Sequence, residues 1–144
     1  MIGGFAVIAH RHVRATQDSD FLIPADEAND RLVVAGLRAL SAERARDGAG
    51  LDLEMLSGAD HVRVLTDGGL VDLVREGVPP LDFESVAAGA VRADFETGPF
   101  LVAGLAALVG FKRLAGRPQD RRDLEALEEI HGDLPVEPIP GLDD

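Results

Sequence analysis

The glycine turns in the middle of the chain constrain the fold more than any other feature. Asp67-Gly68-Gly69 separates two short apolar stretches, residues 61–66 and 70–74. A turn of this composition joins antiparallel strands, because glycine accepts the positive φ that tight hairpins demand. Ser57-Gly58-Ala59-Asp60 makes a second turn, and residues 51–56 read as a further strand before it. Antiparallel hairpins at the centre favour an α+β fold with a small sheet over a doubly wound parallel one.

The rest of the chain supplies helices around that sheet. Gly3-Gly4 opens a short helix to about residue 10, and residues 11–17 form a polar loop. Residues 18–23 read as a strand that Pro24 ends. Asp26 suits the N-cap of a helix to about residue 44, with Leu32, Ala35, Gly36, Ala39 and Leu40 on its apolar face. Residues 83–90 form a helix capped by Asp82, and residues 91–95 and 100–102 are short strands around Thr97-Gly98-Pro99. A helix over 103–115 ends at Gly116, and Pro118 starts the last helix, with Leu124, Leu127 and His131 inward. Residues 132–144 are rich in Pro and acid and read as a flexible tail. Residues 1–131 are then the domain.

A length of 144 residues can bury a core without disulfides, and there are none, since the chain has no Cys. That also excludes a thiolate metal site and a Cys nucleophile. Acids outnumber bases 26 to 14, and 13 of the bases are Arg against a single Lys, Lys112. A net charge of −12, with no Trp or Tyr, disfavours non-specific nucleic-acid binding and anionic membranes. The run from Phe100 to Phe111 is too short to span a bilayer, and no leader is visible. A cytoplasmic protein is expected.

Three features carry chemistry. Asp18 and Asp20 are two apart on a strand, so both carboxylates leave one face and Ser19 the other. Side by side they repel unless solvated or sharing a cation, and oxygen-only ligands suit a hard ion such as Mg²⁺. Asp72 sits inside the apolar run Leu70-Val71-Asp72-Leu73-Val74, where a lone carboxylate is costly unless it shares that cation. Gly3-Gly4 at a helix start presents backbone N–H groups suited to phosphate. Each has a plainer reading: solvated aspartates near a loop end, an outward residue on an edge strand, a simple turn.

In this order, Ile2-Gly3-Gly4, a spacer, Asp18-Ser19-Asp20-Phe21 and then Asp72 resemble the nucleotidyltransferase superfamily that includes DNA polymerase beta. Arg14-Ala15-Thr16 before the Asp pair is similar to the minimal members found beside toxin–antitoxin and abortive-infection genes. So is Leu108 to Asp120, followed by Asp123-Leu124. The resemblance spans roughly residues 2 to 127. It departs at Ser19, where the family has an apolar residue, and at the start, where members carry a helix and a first strand before the glycine pair. The expected fold is therefore a small mixed sheet of the nucleotidyltransferase type, flanked by helices, with its first strand truncated.

The resemblance implies transfer of a nucleoside monophosphate from a nucleoside triphosphate to an acceptor hydroxyl on a protein, a tRNA end or a small molecule. It implies two Mg²⁺ ions on Asp18, Asp20 and Asp72, with Gly3, Gly4 and Thr16 on the phosphate side. Lys112, on an apolar helical stripe, is a candidate phosphate contact or a snorkelling helix residue. Arg117, Asp120 and Asp123 read as an ion-pair and capping set at a helix junction. Two rival readings remain: a non-catalytic antitoxin or regulator on the same fold, and a structural α+β protein. An unpaired sheet edge would favour a homodimer.

Overall fold

The computed structural model describes residues 1–75 and 77–144. Its elements run α1 (Gly3–Ala9), β1 (Asp18–Leu22), α2 (Glu27–Arg38), β2 (Glu43–Arg44), α3 (Leu53–Ser57), β3 (His61–Thr66), β4 (Gly69–Val74), α4 (Phe83–Ala88), β5 (Val91–Phe95), β6 (Gly98–Val102), α5 (Leu105–Ala115) and α6 (Pro118–His131). The fold is mixed α+β. The chain forms two compact units, Met1–Ala15 with Gly77–Asp144, and Thr16–Glu76. Among the described residues no helix is long and apolar enough to cross a membrane.

The unit Thr16–Glu76 is built on a four-stranded mixed sheet in the order β1-β4-β3-β2. The expected hairpin forms β3 and β4, paired antiparallel from His61↔Val74 to Thr66↔Gly69. Its turn is fastened by Thr66. The Thr66 hydroxyl donates to the Gly69 carbonyl at 2.8 Å and accepts from the Gly68 N–H at 3.1 Å. Gly69 has φ 111°, which side-chain-bearing residues rarely adopt. β1 joins β4 in parallel, a pairing that needs a long crossover, here the segment from α2 through β3.

One face of this sheet is apolar. Val62, Val64 and Leu73 pack with Ile23, with Val34 of α2 and with Leu56 of α3, and Phe21 and Val71 flank them. These strand residues share one parity. The other parity carries Asp18, Asp20, Asp72, His61 and Arg63.

Three expectations fail in this unit. Residues 51–56 alternate apolar and acidic, which mimics a strand, but Asp52 caps a helix instead. Its carboxylate accepts the Met55 N–H at 2.7 Å, and α3 follows. The helix from Asp26 stops at Arg38 rather than near 44. Ser41 turns left-handed at φ 57°, with Ser41 N–H bonded to Arg38 O and Ala42 N–H to Leu37 O. That paired pattern closes a helix end. The buried face of α2 is also the opposite one. Leu32 is 73% exposed, whereas Asp30 and Val34 are buried. Asp30 is tolerated inside because Arg75 donates to it at 2.6 Å.

The other unit centres on Ala6 and Val7 of α1, Val102, Leu108 and Leu127. Gly116 (φ 60°) ends α5 in the left-handed conformation, and α6 begins with Pro118 in its first turn. Leu127 is buried as expected, but His131 is exposed and its Nε2–H donates to the His10 carbonyl, 2.7 Å away. Residues 132–144 are not a free tail. Ile139 is 1% exposed, Leu134 packs on the unit's core, and Arg113 bonds the Glu137 carbonyl and the Asp143 carboxylate. Gly110 leaves the space into which Ile139 and Leu81 pack.

Candidate functional site

Strand register gathers the acidic residues of the Thr16–Glu76 unit. Along the parallel pair, Asp18 lies opposite Leu70 and Asp20 opposite Asp72. Parallel neighbours in register point the same way, so all three carboxylates leave one sheet face. Across the hairpin, Arg63 lies opposite Asp72. Arg75 N–H donates to the Asp60 carbonyl, which makes Arg63–Asp72 a non-hydrogen-bonded pair by alternation. Side chains approach most closely at such pairs.

Arg63 uses that proximity. Its Nε donates to Asp72 Oδ1 at 3.0 Å and its Nη2 to Asp72 Oδ2 at 2.8 Å. The same Nη2 reaches Asp18 Oδ2 at 3.0 Å. His61 adds Nε2 to Asp72 Oδ1 at 2.6 Å. Asp72 is 4% exposed, so an isolated charge there would be expensive. Burial is the largest influence on its pKa and pushes it up. The hydrogen bonds from Arg63 and then His61 outweigh burial and hold the carboxyl below its usual range. The Arg63 guanidinium is raised, first by its hydrogen bond to Asp72, and Asp18 and Asp20 add charge attraction.

Thr16 supports the start of β1, its hydroxyl 3.4 Å from the Asp18 carbonyl. Ser19 lies on the parity of the apolar face, opposite Val71. An open groove of about 880 Å³ adjoins the acidic face, lined by Arg44, Arg46, Asp52, Glu54, His61 and Arg63 among others.

The donor chemistry suits a hard cation in kind, since Asp18, Asp20 and Asp72 offer oxygen alone. Among the described residues, however, no group of three or more His, Asp or Glu is assembled to hold a metal ion. A guanidinium stands between two of the three carboxylates.

The remaining sequence candidates lie in the other unit. Gly3 and Gly4 open α1, with Gly3 at φ 69°. Lys112 is inside a charge network at the α5–α6 junction. It is 5% exposed, and its Nζ is 2.8 Å from both Asp120 Oδ1 and Asp123 Oδ2. Arg14 grips Asp123 with Nε at 2.7 Å and Nη2 at 2.9 Å. Arg117 holds Asp120 through its side-chain Nε at 2.7 Å and its backbone N–H at 3.1 Å, so the Asp120 carboxylate satisfies the N-cap N–H at the start of α6. Lys112 and Arg14 therefore both serve this junction.

Arg63 and His61 were not among the candidates read from sequence. The signal was present: a hairpin centred on Asp67-Gly68 mirrors Arg63 onto Asp72 and sets His61 two residues away on the same face. In comparisons with known proteins, no protein-family model matches the chain, and no curated protein matches it.

Proposed function

We propose that the chain is a divalent-metal-dependent nucleotidyltransferase of the minimal kind. In this reading it moves a nucleoside monophosphate from a nucleoside triphosphate to an acceptor hydroxyl on a protein, a tRNA end or a small molecule. The observation that supports it is the placement of Asp18 and Asp20 on β1 and Asp72 on β4, in adjacent register and on one sheet face. The order of motifs in the sequence gives the same reading, and the type of fold it names, a nucleotidyltransferase sheet, is part of the proposal.

Asp18, Asp20 and Asp72 would hold Mg²⁺, which when bound supplies charge neutralisation and a more acidic attacking hydroxyl. The chain's own contribution is positional. β1 and β4 fix the spacing of the carboxylates, and His61 holds Asp72 Oδ1 at 2.6 Å. The acceptor oxygen would form a bond to the α-phosphorus as pyrophosphate leaves. Lys112 has no part in this proposal, because two carboxylates already neutralise it.

One observation favours a second reading. Arg63 neutralises Asp18 and Asp72 with no ion required, as a non-catalytic regulator on the same fold would allow. An assay with α-labelled nucleoside triphosphates and Mg²⁺ or Mn²⁺ separates the two. Label transferred to the protein itself or to an added acceptor, and lost in Asp18→Asn/Asp20→Asn, is the expected result. No transfer to any acceptor, with the wild type behaving as the variant does, favours the regulator.

A further inference from the structure

We propose that Arg63 and a divalent cation compete for the same carboxylates, and that a bound cation displaces the Arg63 side chain. The proposal rests on the metal-dependent reading above and names the residue that sets its metal affinity.

Three observations carry it. First, one guanidinium nitrogen serves both strands. Arg63 Nη2 reaches Asp18 Oδ2 and Asp72 Oδ2 at 3.0 and 2.8 Å, so it occupies the position between carboxylates where a shared cation would sit. Second, both oxygens of Asp72 are engaged by Arg63 and His61. A divalent ion on Asp72 would meet a fixed positive charge at contact distance, and the two repel strongly there. Binding therefore requires Arg63 to leave. Third, the Arg63 side chain is about half exposed, at 47%, and borders an open groove, so it can leave the aspartates for solvent.

The competition lowers apparent metal affinity by the fraction of molecules in which Arg63 has already moved away. Removing the arginine removes that factor. Mn²⁺ binding to the full chain, measured by calorimetry and by electron paramagnetic resonance, should be about tenfold or more tighter in Arg63→Met than in wild type. Arg63→Lys, which keeps the charge but loses the fork that grips both aspartates, should fall between them. Because Arg63→Met leaves Asp72 short of partners, its thermal unfolding is measured alongside. Mn²⁺ should raise its unfolding temperature more than it raises that of wild type.

Equal Mn²⁺ affinity in wild type, Arg63→Met and Arg63→Lys overturns the exchange and leaves the metal-dependent reading standing. Absence of Mn²⁺ binding in every variant overturns the exchange and the metal-dependent reading together.

Discussion

Replacing Lys112 by Met removes one buried charge and keeps the stem that fills its space. Lys112, Asp120 and Asp123 are each 5% exposed or less, and Nζ bonds both carboxylates at 2.8 Å. Breaking a buried ion pair costs about 3–5 kcal/mol when the partner is stranded. Here neither partner is stranded, because Arg117 still holds Asp120 and Arg14 still holds Asp123. The expected loss is therefore below that range, about 2 kcal/mol, the worth of a hydrogen bond to a charged group. With an unfolding entropy of about 0.3 kcal/mol/K for a chain of this length, the unfolding temperature should fall by about 7 °C.

The loss should also depend on pH. Burial is the largest influence on both aspartates and raises their pKa values. Hydrogen bonds outweigh it, from Arg117 and Lys112 to Asp120, and from Arg14, Lys112 and Gln119 to Asp123, and leave both values lowered. A carboxylate with a depressed folded pKa stabilises the fold above its unfolded pKa. That contribution is lost as pH falls through the folded value. The gap between wild type and Lys112→Met should thus be full at pH 7 and narrow below about pH 4. Thermal unfolding by circular dichroism across this range reads both effects. A fall of less than 2 °C at pH 7, or a gap that widens in acid, would refute the account and return Lys112 to the pool of ligand-binding residues.

Two further substitutions test the packing. Ile139→Ala empties a fully buried site from residues 132–144, and should cost about 2–4 kcal/mol in denaturant unfolding. A loss below 0.5 kcal/mol would mean that this segment does not dock on α5. Gly69→Ala forces a side chain onto φ 111° in the β3–β4 turn and should cost about 1–3 kcal/mol by the same measurement. An unchanged midpoint would show that the hairpin adopts another turn.

Local chemistry makes much of the fold legible in the sequence. Asp26 and Asp82 accept the N–H groups of Asn29 and Ser85 as helix caps, Gly116 is left-handed, and the Asp67-Gly68 turn sets the hairpin. Each depends on one or two neighbouring residues. What stayed hidden depends on distant ones. The buried face of α2 was misjudged because Asp30 belongs to it, and Asp30 is acceptable inside only with Arg75, 45 positions on. Residues 132–144 read as a free tail because they are rich in Pro and acid, yet Ile139 and Leu134 anchor them. Residues 51–56 are the exception, hidden by a local feature: they alternate like a strand, and a single cap at Asp52 decides otherwise.

The candidate site divides in the same way. Asp18, Asp20 and Asp72 were legible as chemistry-bearing residues because an acid in an apolar strand needs a partner. Arg63 was not, since a surface arginine on a strand has no local anomaly. Its importance appears only once register sets it across from Asp72 and beside Asp18.

The central claim is that these three aspartates form a cation-dependent triphosphate site. Calorimetric titration of a nucleoside triphosphate into the full chain with Mn²⁺ present tests it most directly. The account predicts saturable binding by wild type that requires Mn²⁺ and is lost in Asp18→Asn/Asp20→Asn, while the unfolding temperature shows both proteins folded. Binding that is unchanged in the variant, or no binding of any triphosphate by the folded wild type, would contradict it.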